Sequence, residues 1–143
     1  MRIAIGCDHG GFELKEQLRR YLSSNGYEII DCGTDSVESV HYPVFAKVVA
    51  KKVLSGEAER GIVVCTTGEG VAIAANRFKG IRCGIAYNDE VTRLMRAHNN
   101  TNVLSFGARF TPLEDAIKRV NIFLNTDFDG GRHQTRIDML DED

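Results

Sequence analysis

The 143-residue chain has no tryptophan and only two prolines, Pro43 and Pro112. It has no repeat, low-complexity tract or Pro/Gly/Ser-rich linker, so a second domain or a disordered tail is not expected. Long apolar runs are missing as well. The N-terminal stretch in MRIAIGCDHG is three residues long, which predicts neither a signal peptide nor a membrane span. A basic surplus is absent: 18 Lys and Arg stand against 20 Asp and Glu, net charge is −2, and no basic run exceeds two residues. A dedicated nucleic-acid binder would carry a basic stripe. The four cysteines, Cys7, Cys32, Cys65 and Cys83, form no CxxC pair and no even framework, so reduced thiols in a cytoplasmic protein are expected.

What is present is the composition of one globular domain, 43% hydrophobic and 27% charged. A chain of this length buries roughly 68–70% of its unfolded surface and needs no staple. Short apolar runs alternate with amphipathic stretches. Strands are expected at 3–7, 27–31, 61–65, 82–86 and 102–106, and helices at 12–25, 43–54, 71–78, 89–97, 112–124 and 133–140. Pro43 suits a first helical turn, and Gly56 and Gly80 suit helix stops. Strictly alternating elements with continuous apolar strands predict a three-layer α/β/α sandwich, Rossmann-like, on a five-stranded parallel sheet. A closed (β/α)₈ barrel would need about 250 residues.

Ligands of such sheets bind outside the carboxyl ends of the strands. Those ends carry Asp8-His9-Gly10-Gly11, Thr66-Thr67-Gly68-Glu69-Gly70, Tyr87-Asn88-Asp89 and Gly107-Ala108-Arg109, and His98-Asn99-Asn100 is assigned to the same edge. Cys65 ends the most strand-like stretch and faces a helix N-terminus through a glycine-containing turn. Free N–H groups and the helix dipole there would favour negative charge on its sulfur, although a buried strand cysteine is ordinarily inert. The same N–H groups, from Thr67 to Gly70, could hold an oxyanion. A thiolate beside such a loop suits nucleophilic attack or proton abstraction next to a carbonyl.

Other motifs fit less well. Gly68-x-Gly70 lacks the third glycine of a dinucleotide loop, where Ile73 stands, and no GxxxxGK[ST] sequence exists. A phospho-acceptor domain would want a carboxylate at position 65. Cys7, Asp8 and His9 are adjacent and have no further Cys or His at ligand spacing, so no metal site is expected. His98 could be a plain helix C-terminal residue or a proton shuttle for a sugar ring oxygen. Arg132 and Arg136, four apart, share one helix face. They form either a solvated basic face or a bidentate phosphate clamp.

Five blocks together resemble one family: Cys7-Asp8-His9-Gly10-Gly11-Phe12; Tyr42-Pro43-x-Phe45-Ala46; Cys65-x-Thr67-Gly68-x-Gly70-x-x-Ile73-Ala74-Ala75-Asn76; His98-Asn99-x-x-Asn102-Val103-Leu104-x-x-Gly107-x-Arg109; and Gly130-Gly131-Arg132-His133-Gln134-x-x-Arg136. They look like the type B ribose-5-phosphate isomerases, whose family includes galactose-6-phosphate isomerase subunits. The resemblance covers essentially the whole chain. It implies a pentose-phosphate-pathway aldose–ketose isomerase with no metal or organic cofactor. Cys65 is then the base moving a proton between C1 and C2 of the open-chain sugar phosphate, and Thr67 and the N–H groups through Gly70 stabilise the enediolate. His98 assists ring opening, and Asp8 and Asn99 place sugar hydroxyls. His9, Arg109, Arg132 and Arg136 meet the phosphate, and Tyr42, Gly68, Glu69 and Gly70 line the substrate. The resemblance further implies a single domain over 1–143 whose segment from about 125 reaches a neighbouring subunit. Active sites would be shared in a homodimer or tetramer.

The chain departs from the family pattern in places. Cys-Gly-Thr-Gly-Ile-Gly reads Cys-Thr-Thr-Gly-Glu-Gly, with Thr66 for glycine and Glu69 for an apolar residue. Where some members carry a glutamate base after the last loop glycine, this chain has Val71, which leaves Cys65 as the candidate and Glu69 as a rival. His41 replaces the aspartate more common before Tyr-Pro in ribose isomerases. A six-carbon substrate (allose 6-phosphate or galactose 6-phosphate) and a non-catalytic sugar-phosphate binding module are the alternatives.

Overall fold

The computed structural model describes all residues, Met1–Asp143. Five strands, β1 (Arg2–Cys7), β2 (Glu28–Asp31), β3 (Arg60–Cys65), β4 (Cys83–Ile85) and β5 (Val103–Gly107), form one sheet in the order β2-β1-β3-β5-β4. Every pairing is parallel. The three inner strands are buried almost throughout, which accounts for their unbroken apolar character, whereas the edge strands β2 and β4 are only half-covered.

Six helices cover the sheet: α1 (Phe12–Ser24), α2 (Tyr42–Leu54), α3 (Glu69–Ala75), α4 (Asp89–Ala97), α5 (Leu113–Asn125) and α6 (Arg132–Leu140). On one face, Leu14, Leu18 and Leu22 of α1, Met95 of α4 and Val120 and Phe123 of α5 pack on Ile3, Ile5, Ile62, Leu104 and Phe106. On the other, Val49 and Ala50 of α2 and Val71, Ala74 and Ala75 of α3 pack on Ala4, Val63, Cys65 and Val103. Small residues on α2 and α3 let these helices lie close to the sheet. The crossovers β1-α1-β2 and β4-α4-β5 run one way across the sheet and use the first face. Those through α2 and α3 run the other way and use the second, as a single connection handedness requires. The direction of winding therefore reverses between β1 and β3. That opens a crevice at their carboxyl ends, between Asp8-His9 and Thr66-Thr67.

The expected elements are all present, with shifted boundaries. The helix expected at 71–78 spans Glu69–Ala75, because left-handed Gly68 (φ 80°) starts it two residues earlier. One-turn 3₁₀ helices at His9–Gly11 and Ala108–Phe110 continue β1 and β5. No helix is long and apolar enough to cross a membrane.

Candidate active site

Cys65 is the last residue of the central strand and sits opposite Gly107 of β5. Its side chain is 6% exposed, and the Gly68 N–H donates to its sulfur at 3.2 Å. The Glu69 N–H donates to Thr67 Oγ1 at 3.2 Å, so the hydroxyl proton of Thr67 stays free to donate onward. Of the four N–H groups expected to form an anion cradle, two are thus engaged within the loop. Those of Thr67 and Gly70 donate to no protein atom and remain available.

The loop is wedged in place. A Cβ on Gly107 would lie 2.5 Å from the Thr67 carbonyl oxygen, and one on Gly68 would lie 2.9 Å from the Gly107 nitrogen. The Tyr42 ring covers Gly70, where a Cβ would sit 2.7 Å from Cε1. Beneath the loop the Ser105 hydroxyl donates to the Gly68 carbonyl at 2.6 Å, wholly buried. Ser105 was not among the expected site residues. The available signal was a hydroxyl in the otherwise apolar run Val-Leu-Ser-Phe.

Beside this loop, Asp8 accepts from the Gly10 and Gly11 N–H groups through Oδ1 at 2.9 and 3.2 Å, leaving Oδ2 for a ligand. The Val40 N–H donates to His9 Nδ1 at 3.1 Å. The neutral His9 ring therefore carries its hydrogen on Nε2, a tautomer set by this bond. His9 and Arg109 line one hollow of about 380 Å³, and the Arg109 N–H donates to the Thr66 carbonyl at 3.1 Å. The hollow and the Cys65 loop are thereby joined.

His98 and Asn99 require a correction. They close α4, which leaves the carboxyl edge after β4 and runs back antiparallel to the strands. They therefore sit at the amino edge of the sheet, ahead of Val103, while Cys65 lies level with Gly107. Five-residue β5 separates the two ends by roughly 13 Å. The spacing of polar clusters along the sequence does not show that a residue after a helix lies at the opposite edge from one after a strand. At the amino edge, His98, Asn99, His133 and Arg136 line a hollow of about 250 Å³. The rings of His98 and His133 stack with centroids 4.3 Å apart. His133 is held below the ordinary histidine range by desolvation and then by His98, Arg132 and Arg136. Ligating atoms of His98, Asp129 and His133 lie within 4.8 Å of one another, but two arginines flank rings that face instead of converging. That arrangement suits an anion better than a cation. Two bonds tie the segment from 125 to the rest of the chain: the Asp129 N–H donates to the Ala97 carbonyl at 2.9 Å, and Asp141 accepts from the Gly80 N–H at 2.8 Å.

A groove of about 1040 Å³ links the two edges. It runs beside edge strand β4 from Thr67, Glu69 and Tyr87 to Asn99, Leu140 and Asp141. Glu69, the departure in the loop, thus borders the groove, and its side chain makes no hydrogen bond or ion pair.

A buried thiol at the head of a loop with two free N–H groups, a histidine and an arginine lining a hollow beside it and an open crevice at the strand ends mark the class of α/β proteins that bind small ligands at the carboxyl edge of the sheet. Comparison with known proteins narrows the class. The model of the ribose/galactose isomerase family matches residues 3–140. Ribose-5-phosphate isomerase B of Escherichia coli is 45% identical over 97% of this chain and 93% of that protein. Among solved structures, the ribose 5-phosphate isomerase of Thermotoga maritima superposes with a TM-score of 0.98 at 48% identity, covering 99% of this chain and 98% of that one. The Mycoplasma genitalium enzyme, solved with bound ribulose-5-phosphate, gives 0.92 at 38%, covering 97% and 93%. The chain belongs to the ribose/galactose isomerase family and is a sugar-phosphate aldose–ketose isomerase.

Proposed function

We propose that this isomerase interconverts ribose 5-phosphate and ribulose 5-phosphate by proton transfer through an enediolate, with Cys65 as the base and no metal involved. The observation that carries this is the Cys65 sulfur, bonded to the Gly68 N–H at 3.2 Å beside the spare N–H groups of Thr67 and Gly70. The thiolate takes the C2 proton of the open-chain aldose and returns it to C1 of the enediolate, while the proton of the C2 hydroxyl passes to O1, so that the carbonyl moves from C1 to C2. Negative charge that develops on the carbonyl oxygen meets the two N–H groups and the Thr67 hydroxyl, donors already in position before the reaction. Asp8 Oδ2 and Asn99 accept from sugar hydroxyls. His9 Nε2–H and Arg109 hold the phosphate, with Tyr42, Gly68 and Gly70 forming the walls. Glu69 borders the substrate end of the groove and is the rival base.

His98, Asn99, Arg132 and Arg136 join this site from a second copy. Support comes from the separation of the two clusters along β5 and from the groove that joins them. Ile73, Tyr87 and Leu140 line that groove and are 61%, 70% and 64% exposed. A two-fold axis across the groove sets the carboxyl edge of one chain against the amino edge of the other, so the same contact forms twice. The partner's His98 then reaches the sugar ring oxygen and assists ring opening. The segment from about 125 serves the neighbour's site while seated on its own chain.

The test is turnover of ribose 5-phosphate and allose 6-phosphate side by side with EDTA present, followed by NMR, with Cys65→Ala as control. Ribose preference that disappears in the variant, with sugar-phosphate affinity retained, is expected. Six-carbon preference would overturn the substrate, and turnover retained without Cys65 would move the base to Glu69. Binding without any turnover would leave a sugar-phosphate binding module.

A further inference from the structure

We infer that Arg96 is the positioning residue of the donated half-site, its buried guanidinium holding the His98–Asn99 turn and the tail segment in one arrangement. This rests on the proposal that His98 opens the sugar ring. Arg96 is 4% exposed and forms no salt bridge, and Asp127 is the acidic group that acts on it. Desolvation, then Arg60 and Arg82, push it down to about 10, so it stays charged at neutral pH. Burying such a charge is costly, and an apolar side chain would fill the space without that cost. What an apolar side chain could not do is satisfy three separate acceptors. Arg96 donates through Nη1 to Asn100 Oδ1 and to the Thr101 carbonyl, each at 2.8 Å, and through Nε to the Thr126 carbonyl at 3.2 Å.

Those acceptors frame the donated residues. Asn100 has φ 46°, the sole non-glycine residue in the left-handed region, where asparagine costs less than other side chains. Its carbonyl accepts from Arg82 Nε at 3.0 Å and its N–H donates to the Arg96 carbonyl at 3.2 Å. The turn that projects His98 and Asn99 is thus fixed from both sides. Thr126 begins the segment that brings His133 onto the His98 ring. One guanidinium therefore sets the position of His98 and of the helix carrying Arg132 and Arg136.

The experiment uses the full-length protein and Arg96→Lys, which keeps the charge but cannot span three acceptors, with Asn100→Gly as a milder variant. Glycine accepts the left-handed conformation and removes only the Oδ1 acceptor, so this variant decides the matter should Arg96→Lys fail to fold. Histidine ring signals, assigned through His98→Asn and His133→Asn, report the stack. Alkylation of Cys65 reports the other half-site. The expected result is that the His98 and His133 signals shift, ribose 5-phosphate turnover falls roughly 10–100-fold, and Cys65 alkylation is unchanged. Unmoved histidine signals, or turnover lost in step with a general loosening that also exposes Cys65, would overturn the inference. Were wild-type protein inactive on ribose 5-phosphate, the functional proposal itself would fail, and the ring signals alone would decide the placement.

Discussion

The Ser105 hydroxyl and the Gly68 carbonyl meet at 2.6 Å with no access to water. This bond fixes the floor of the Cys65 loop to the strand beside it, because Ser105 pairs with Val63 two residues before Cys65 meets Gly107. Ser105→Ala leaves a buried carbonyl unpaired, a cost of about 1–3 kcal/mol. It also frees Gly68, whose N–H faces the Cys65 sulfur. The variant should melt earlier and lose kcat by roughly tenfold or more while KM moves little, since the bond does not touch the His9 and Arg109 side chains proposed to hold the phosphate. Steady-state kinetics beside a thermal melt check this. A KM change with kcat intact would show that the bond serves binding instead.

Three thiols are kept protonated by their surroundings. Desolvation pushes Cys7 up to about 12, Cys32 to about 11 and Cys83 to about 12. Alkylation with iodoacetamide at pH 8 should therefore map first to Cys65, and activity should fall in step with that modification. Peptide mass analysis of partly inactivated protein reads the order. Inactivation that tracks Cys7, Cys32 or Cys83 would count against Cys65 as the base.

Element type was legible because the code is local. The unbroken apolar run Ile62-Val63-Val64 marks a strand buried on both faces, and Pro43 and Gly56 bracket a helix. Strand order was not legible, since placing β5 between β3 and β4 depends on tertiary packing that no local pattern records. The placement of Cys65, Thr67 and the loop glycines at the carboxyl edge could be read because they follow a strand directly. His98 is assigned to that edge in sequence and lies at the other, because it follows a helix. Val40 contributes only its backbone N–H to His9, a role independent of its side chain and therefore invisible in sequence.

Glu16 links acid stability to the outer face of α1. It accepts from Arg19 at 2.8 and 2.9 Å and from Lys15 at 3.2 Å, and chiefly the Arg19 bonds hold its carboxyl down at about 2, against 4.5 for a free glutamate. The folded state binds fewer protons than the unfolded state between those values. Its contribution is therefore complete above pH 4.5 and lost as pH falls towards 2. Glu16→Gln should lower stability at pH 7 by about 1 kcal/mol, a gap that narrows below pH 4.5. Urea unfolding of both proteins at pH 7, 4 and 2.5 is the check. A gap constant across that range would mean that packing, and not charge, is responsible.

Sites shared between two copies, as proposed above, make a numerical prediction about mixtures. Cys65→Ala and His98→Asn should each be nearly inactive alone, because every site in either homodimer lacks one essential group. In a heterodimer, the intact Cys65 of one chain meets the intact His98 of the other at one site, and both defects fall together at the second. Random pairing of equal amounts makes about half the dimers mixed, each with one of its two sites restored, so activity should recover to about a quarter of wild type. The exchange needs a brief denaturation and refolding of the mixture, with each variant treated alone as the control. Sites built within a single chain would give no recovery at all, since no chain in the mixture carries both groups. Recovery near one quarter would place Cys65 and His98 on different chains of the same site, as the proposal drawn from their positions at opposite edges of the sheet expects.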